Sequence, residues 1–128
     1  MDEVLQVALG PVLADLRSTG APVPRVQPSG WTEDEALPAA MLWSPDGSGV
    51  GIFVRAHDPE VSRVAHAAEQ VQEWVVEERP GGDSTWPVCP LHPGTHPLSP
   101  VVVDGVARWV CARDRAVVAR LGDLAGGY

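Results

Sequence analysis

Residues 39–78 read AAMLWSPDGSGVGIFVRAHDPEVSRVAHAAEQVQEWVVEE, and inside this stretch the apolar pattern changes period. Residues 39–43 and 50–55 are apolar, β-prone runs joined by Ser-Pro-Asp-Gly-Ser-Gly. Asp46-Gly47 supplies a tight turn and Gly49 relieves the backbone beyond it, so the first half predicts a β-hairpin. From Asp58 the spacing turns helical. Asp58 suits a cap, Pro59 the first helical position, and Glu60 the positive end of the helix dipole. Val61, Val64, Ala65, Ala68, Val71 and Val75 then fall on one face. About 20 residues make a rod of roughly 30 Å, long enough to cover a small sheet. Pro80-Gly81-Gly82 is expected to stop it.

Working outward toward the N-terminus, residues 2–18 carry Leu5, Leu9, Val12, Leu13 and Leu16 on one stripe, which predicts a second amphipathic helix. Pro11 lies inside it, so either the helix kinks there or a new segment starts with proline in its first turn. Gly20 and Pro22 should end it. Residues 21–38 are rich in proline and polar groups, with a short edge strand expected at 25–27. The fold class that results is α+β: a helix, a β-hairpin or three-stranded antiparallel sheet, a long helix, and then a tail. Residues 1–84 form the expected body and 85–128 the tail, with the boundary at 80–85.

The tail holds the chemistry. Cys89, His92, His96 and Cys111 lie within 23 residues, and they include both cysteines and two of the four histidines of the chain. These are donors that Zn²⁺ takes, gathered in a segment dense in turn residues. Two ligand sets compete. Paired knuckles would use Cys89-x2-His92 and Cys111-x2-Asp114, the spacing of a zinc ribbon. Ligand preference replaces Asp114 with His96, because a carboxylate is less usual in a closed structural site. The second set, Cys89, His92, His96 and Cys111, is favoured, with Asp114 as the alternative fourth ligand. The competing metal-free explanations are two buried thiols with the histidines as ordinary loop residues, or a disulfide, which requires an oxidising compartment. Beyond the ligands, residues 101–103, Asp104-Gly105 and residues 106–110 predict a second hairpin, and 116–121 a further strand.

The run Trp86-Pro-Val-Cys89-Pro-Leu-His92, then His96-Pro-Leu, Asp104-Gly105, Trp109-Val-Cys111 and Val117-Val-Ala-Arg-Leu-Gly122 resembles the C-terminal region of small uncharacterised actinobacterial proteins with a zinc-ribbon-like end. The resemblance covers residues 86–124. It departs from that pattern at Ala112, where proline commonly follows the second cysteine, and in a longer gap between the histidines. It implies a small zinc-ribbon-like β-hairpin subdomain and assigns no activity.

Composition narrows the function classes. The chain of 128 residues has a formal net charge of −8 and no lysine, which excludes a Walker-type phosphate lysine and a lysine Schiff base. The missing lysine and asparagine, with Ile52 as the one isoleucine, also fit a high-GC bacterial genome. Residues 1–84 carry five Arg against fourteen Asp and Glu, and such a body repels phosphate backbones. Nucleic acid is therefore disfavoured, and a protein partner or a second copy of the chain is expected. The sequence has no apolar run long enough to span a membrane, and its acidic start lacks a secretory pattern, so a cytoplasmic location is expected.

Two surface features point to an interaction. Met41, Leu42, Trp43, Ile52, Phe53 and Val54 make both faces of the first sheet apolar, and helices cover only one of them. The other, carrying either Trp43 and Phe53 or Leu42, Ile52 and Val54, needs the tail, a second copy or another protein. Glu73, Glu77 and Glu78 crowd the C-terminal end of the long helix, where the dipole disfavours negative charge. Gly47-Ser-Gly49-Val-Gly51 is a hairpin turn rather than a phosphate loop, since no helix or lysine follows. His57 and His66 beside Asp58 and Glu60 lack a nucleophile motif. The expected function is a non-enzymatic interaction or adaptor module with a structural zinc. The alternatives are a small zinc-dependent enzyme with an open metal position, or a transcription-linked zinc ribbon supported by Arg108, Arg113, Arg115 and Arg120.

Overall fold

The computed structural model describes residues 2–78 and 85–124. Most of the expected boundary at 80–85, and the helix stop at Pro80-Gly81-Gly82, lie outside the described residues. The fold is α+β, with two helices and two three-stranded antiparallel sheets among the described residues. In chain order the elements are α1 (Glu3–Thr19), β1 (Arg25–Pro28), β2 (Ala39–Trp43), β3 (Gly49–Phe53), α2 (Glu60–Glu78), β4 (Ser99–Val103), β5 (Val106–Cys111) and β6 (Ala116–Arg120).

Helix α1 starts because Asp2 caps it, its carboxylate accepting from the Val4 and Leu5 amides at 2.8 and 3.3 Å. It ends in a left-handed Gly20. The Gly20 amide donates to the Arg17 carbonyl and the Ala21 amide to Leu16, so the last carbonyls are satisfied. One helix runs through Pro11. The carbonyl that Pro11 leaves without a donor belongs to Val7, whose side chain lies on the exposed side.

The first sheet has the order β1-β2-β3 and the second β4-β5-β6. Asp104 and Gly105 both have positive φ, 51° and 75°, which is what the two-residue turn joining β4 and β5 requires. Strands β3, β4 and β5 all contact α2, and α1 packs beside it. That explains why α2 buries Ala67 and Trp74 in addition to the expected valine and alanine face. A single apolar cluster runs from Leu5, Leu9 and Leu16 through Leu42, Ile52 and Val71 to Leu98, Trp109 and Leu121.

In the first sheet, Ala40, Leu42 and Ile52 face inward and are buried. The opposite face is dressed by the sheet's own aromatics. Trp43 lies over Gly49 and Trp31 over Gly51, so closely that a Cβ there would sit 2.6 and 2.8 Å from the rings. Trp31 Nε1 donates to the Ile52 carbonyl at 3.1 Å, and Trp43 Nε1 to Gln27 at 2.8 Å. Phe53 packs edge-on against both Trp31 and His66. Part of the cover sought for this face therefore comes from Trp31, in the stretch rich in proline and polar groups between α1 and β2.

Candidate metal centre

The donor cluster is assembled from three pieces of backbone. An isolated bridge between Val88 and Pro97, with the Leu98 amide donating to the Pro87 carbonyl at 2.9 Å, pinches shut the loop that carries Cys89, His92 and His96. The His92 amide returns to the Cys89 carbonyl at 3.2 Å, and Gly94 takes a positive φ to complete the turn. The pairing of Ser99 with Val110 then sets the loop base beside the end of β5, where Cys111 stands. The turn that leads from β5 to β6 carries Asp114.

The ligand atoms of Cys89, His96 and Cys111 all lie within 4.8 Å of one another, and so do those of His92, Cys111 and Asp114. Cys111 belongs to both groups. Neither four-donor set weighed from spacing is gathered whole: His92 falls outside the first group and Cys89 outside the second, and Cys111 alone links them. Both cysteines are free thiols and fully buried. His92 and His96 are half-buried, with ring centroids 5.3 Å apart, and Asp114 is exposed.

Hydrogen bonding distinguishes the two nitrogens of each imidazole. His96 Nδ1 is 2.9 Å from the Pro97 carbonyl, which can only accept, so Nδ1 carries the proton. The other ring nitrogen, Nε2, faces Cys111 Sγ, 3.8 Å away. His92 Nε2 donates to the Asp114 carboxylate at 2.7 Å, which leaves Nδ1 as its lone-pair nitrogen. Protonated on one nitrogen and bonded to a backbone carbonyl or a carboxylate is the state in which metal-binding histidines are held.

The cluster is fastened to the helices by polar contacts that sequence reading did not single out. Asp15, on the buried stripe of α1, is fully buried. Its carboxylate accepts from Trp109 Nε1 at 2.8 Å and from the Gly122 and Leu124 amides at 2.8 and 3.0 Å. Burial pushes the Asp15 carboxyl above its ordinary value; the three donors pull it down only in part, and the nearby Asp123 adds to the rise. Gln72 donates from α2 to the carbonyls of Trp86 and Leu98, and Trp86 Nε1 donates to Thr19 on α1. The signal for Asp15 was present: it follows Val12 by three positions, on an otherwise apolar face.

The remaining candidates lie elsewhere. Glu78 accepts from the Ser44 hydroxyl, which in turn accepts from Trp74 Nε1 at 3.0 Å. Glu73 and Glu77 are exposed. His66 rests on Phe53 and has no carboxylate partner among the described residues. A wide cleft of about 790 Å³ beside Asp2 and residues 28–39 contains carboxylates but no histidine or cysteine. No helix of the described residues is long and apolar enough to cross a membrane. Compared with protein-family models, curated proteins and solved structures, the chain matches none.

Proposed function

We propose that the protein is a non-enzymatic interaction module whose second sheet is stapled by one structural Zn²⁺, held by Cys89, His96, Cys111 and His92 in a zinc-ribbon-like arrangement. The observation that carries this reading is the convergence of Cys89, His96 and Cys111, with His96 Nε2 facing the Cys111 thiol. Zinc bonds of about 2.3 Å to sulfur and about 2.0 Å to nitrogen, in a tetrahedron, separate the two donors by roughly 3.5 Å. The observed 3.8 Å between His96 Nε2 and Cys111 Sγ is close to that. Asp114 is then not a ligand but the acceptor that orients His92. Four protein donors leave the ion no position for substrate, and two buried thiolates suit a closed structural site.

The His92–Asp114 pair supports a second reading. With only Cys89, His96 and Cys111 on the metal, a water would take the fourth position and the pair would accept its proton. Substitution by Co²⁺ separates the two, since four protein donors and three donors plus water differ in their ligand-field spectra and in exchangeable-water signals. Native mass spectrometry of protein made without chelators should show one zinc per chain, and its absence sinks both readings. His96→Ala should abolish retention, while Asp114→Ala should weaken it by roughly 10- to 100-fold. If Asp114→Ala loses the metal as fully as His96→Ala and His92→Ala keeps it, Asp114 is the direct ligand.

A further inference from the structure

The two edges of the first sheet differ. Strand β1 is short and bounded by Pro24 and Pro28, devices that discourage pairing. Strand β3 is Gly-Val-Gly-Ile-Phe, with no proline and no charge, and pairs only with β2. The Val54 amide donates to the Pro38 carbonyl on the β2 side, while the Phe53 amide and carbonyl turn the other way and bond the Gln70 side chain at 3.1 and 2.7 Å. By strand alternation the amides and carbonyls of Gly51 and Gly49 face outward as well. Gln70 thus occupies the place of a neighbouring strand at Phe53, and the next two residues of the edge are open.

Beside that open edge runs a groove of about 150 Å³, with Val50, Gly51 and Ile52 on one wall and Glu73, Trp74 and Glu77 on the other. Neither Glu73 nor Glu77 has an ion-pair or hydrogen-bond partner among the described residues. We propose that the β3 edge binds a short extended segment of another protein, which pairs with the Gly49–Gly51 backbone and sends an arginine or lysine into the groove between Glu73 and Glu77. The alternation of an added strand brings this about: its backbone bonds the edge, and every second side chain points to the inner side, where the carboxylates wait. Trp74 and Ile52 give the aliphatic stem an apolar wall. A second copy pairing through β3 would instead bring two acidic rows together, which charge opposes.

This names the partner chemistry of the interaction reading above, but it shares no residue with the donor cluster. The test is a ¹⁵N-resolved NMR titration of the full chain, with and without zinc, using a blocked five-residue peptide of alternating threonine and arginine. Saturable shifts should be confined to residues 49–53 and 70–77. Glu73→Gln/Glu77→Gln, on exposed positions, should weaken binding roughly tenfold, the size expected of two partly exposed charge pairs. The threonine–glutamate counterpart should not bind. Shifts spread over α1 and the acidic 33–35 loop, or equal affinity in the double variant, overturn the proposal. So does a concentration-dependent dimer shifting these same residues without peptide, which would assign the edge to a second copy. Peptide binding to a protein that takes up no zinc sinks only the metal reading, and zinc uptake without peptide binding sinks only this one.

Discussion

The two sheets have the same strand number and the same antiparallel order, yet different forces hold them to the helices. The first buries Ala40, Leu42 and Ile52 on its inner face, with Val54 just beyond β3, and closes part of its outer face with Trp31 and Trp43 lying on glycines. Its attachment is apolar burial, at about 1.5–3 kcal/mol for each fully buried large aliphatic side chain. The second leaves Val101, Val102 and Val117 exposed and buries Trp109 and Val110 on its strands, with Leu98 and Leu121 just beyond them. To that burial it adds directional contacts with both helices: Asp15 to Trp109 and Gln72 to two carbonyls, beside the thiol–imidazole cluster. Single substitutions at those polar contacts should therefore hurt the second sheet more than the first.

The largest expected effect is removal of the metal. At free zinc a thousandfold above its dissociation constant, binding stabilises the fold by about 4 kcal/mol. Chelation should lower the thermal midpoint and strip hydrogen-exchange protection from residues 101–110 while 61–75 stay protected. Equal loss in both stretches would mean that the shared core makes the sheets one cooperative unit. Unchanged protection in both would mean that no metal contributes.

Next comes Asp15→Asn, which replaces an acceptor of three hydrogen bonds by a group that must turn a donor toward one of them. A loss of about 2–3 kcal/mol is expected in urea unfolding. The substitution also has a pH signature. The folded carboxyl sits above the ordinary 3.8, so folding binds a proton, and this contribution is fully present below that value. It is lost as pH rises through the folded value, and Asp15→Asn should remove that slope. If the two proteins keep a constant difference in stability across the acid range, Asp15 is not the group responsible.

Gln72→Ala should cost about 1–2 kcal/mol, since the carbonyls of Trp86 and Leu98, both buried residues, lose a donor. Its damage should appear as faster exchange at 98–103 and spare 39–53. Gly51→Ala should have the smallest effect, below about 1 kcal/mol, because the ring of Trp31 that it displaces is 46 % exposed and can swing outward. Tryptophan fluorescence should shift to the red with metal affinity unchanged. A change in metal affinity would mean that packing on the outer face of the first sheet is coupled to the donor cluster.

The period of the apolar residues was enough to place both helices, the hairpins and the sixth strand, because burial on one face imposes the period directly. Asp46-Gly47 and Asp104-Gly105 were legible for the same local reason, as few residues tolerate positive φ. The donor cluster was legible as a group of residue types, and its two rival sets could not be separated from spacing. What each ring nitrogen touches, Pro97 for His96 and Asp114 for His92, was not legible either, because these are contacts of a folded loop and an adjacent turn.

What the sequence determined by itself was local: element type, turn positions, and the presence of metal-type donors in one segment, all set by short-range sterics and periodic burial. Tertiary structure decided what those pieces meet. It placed Asp15 under Trp109, residues 94 positions apart, because only the packed helix brings a carboxylate to an indole so distant in the chain. It laid Trp31 over Gly51 and left the β3 edge open beside Glu73 and Glu77. Such pairings depend on closing long loops around a common core, and no local propensity records which distant partner a buried polar group will find.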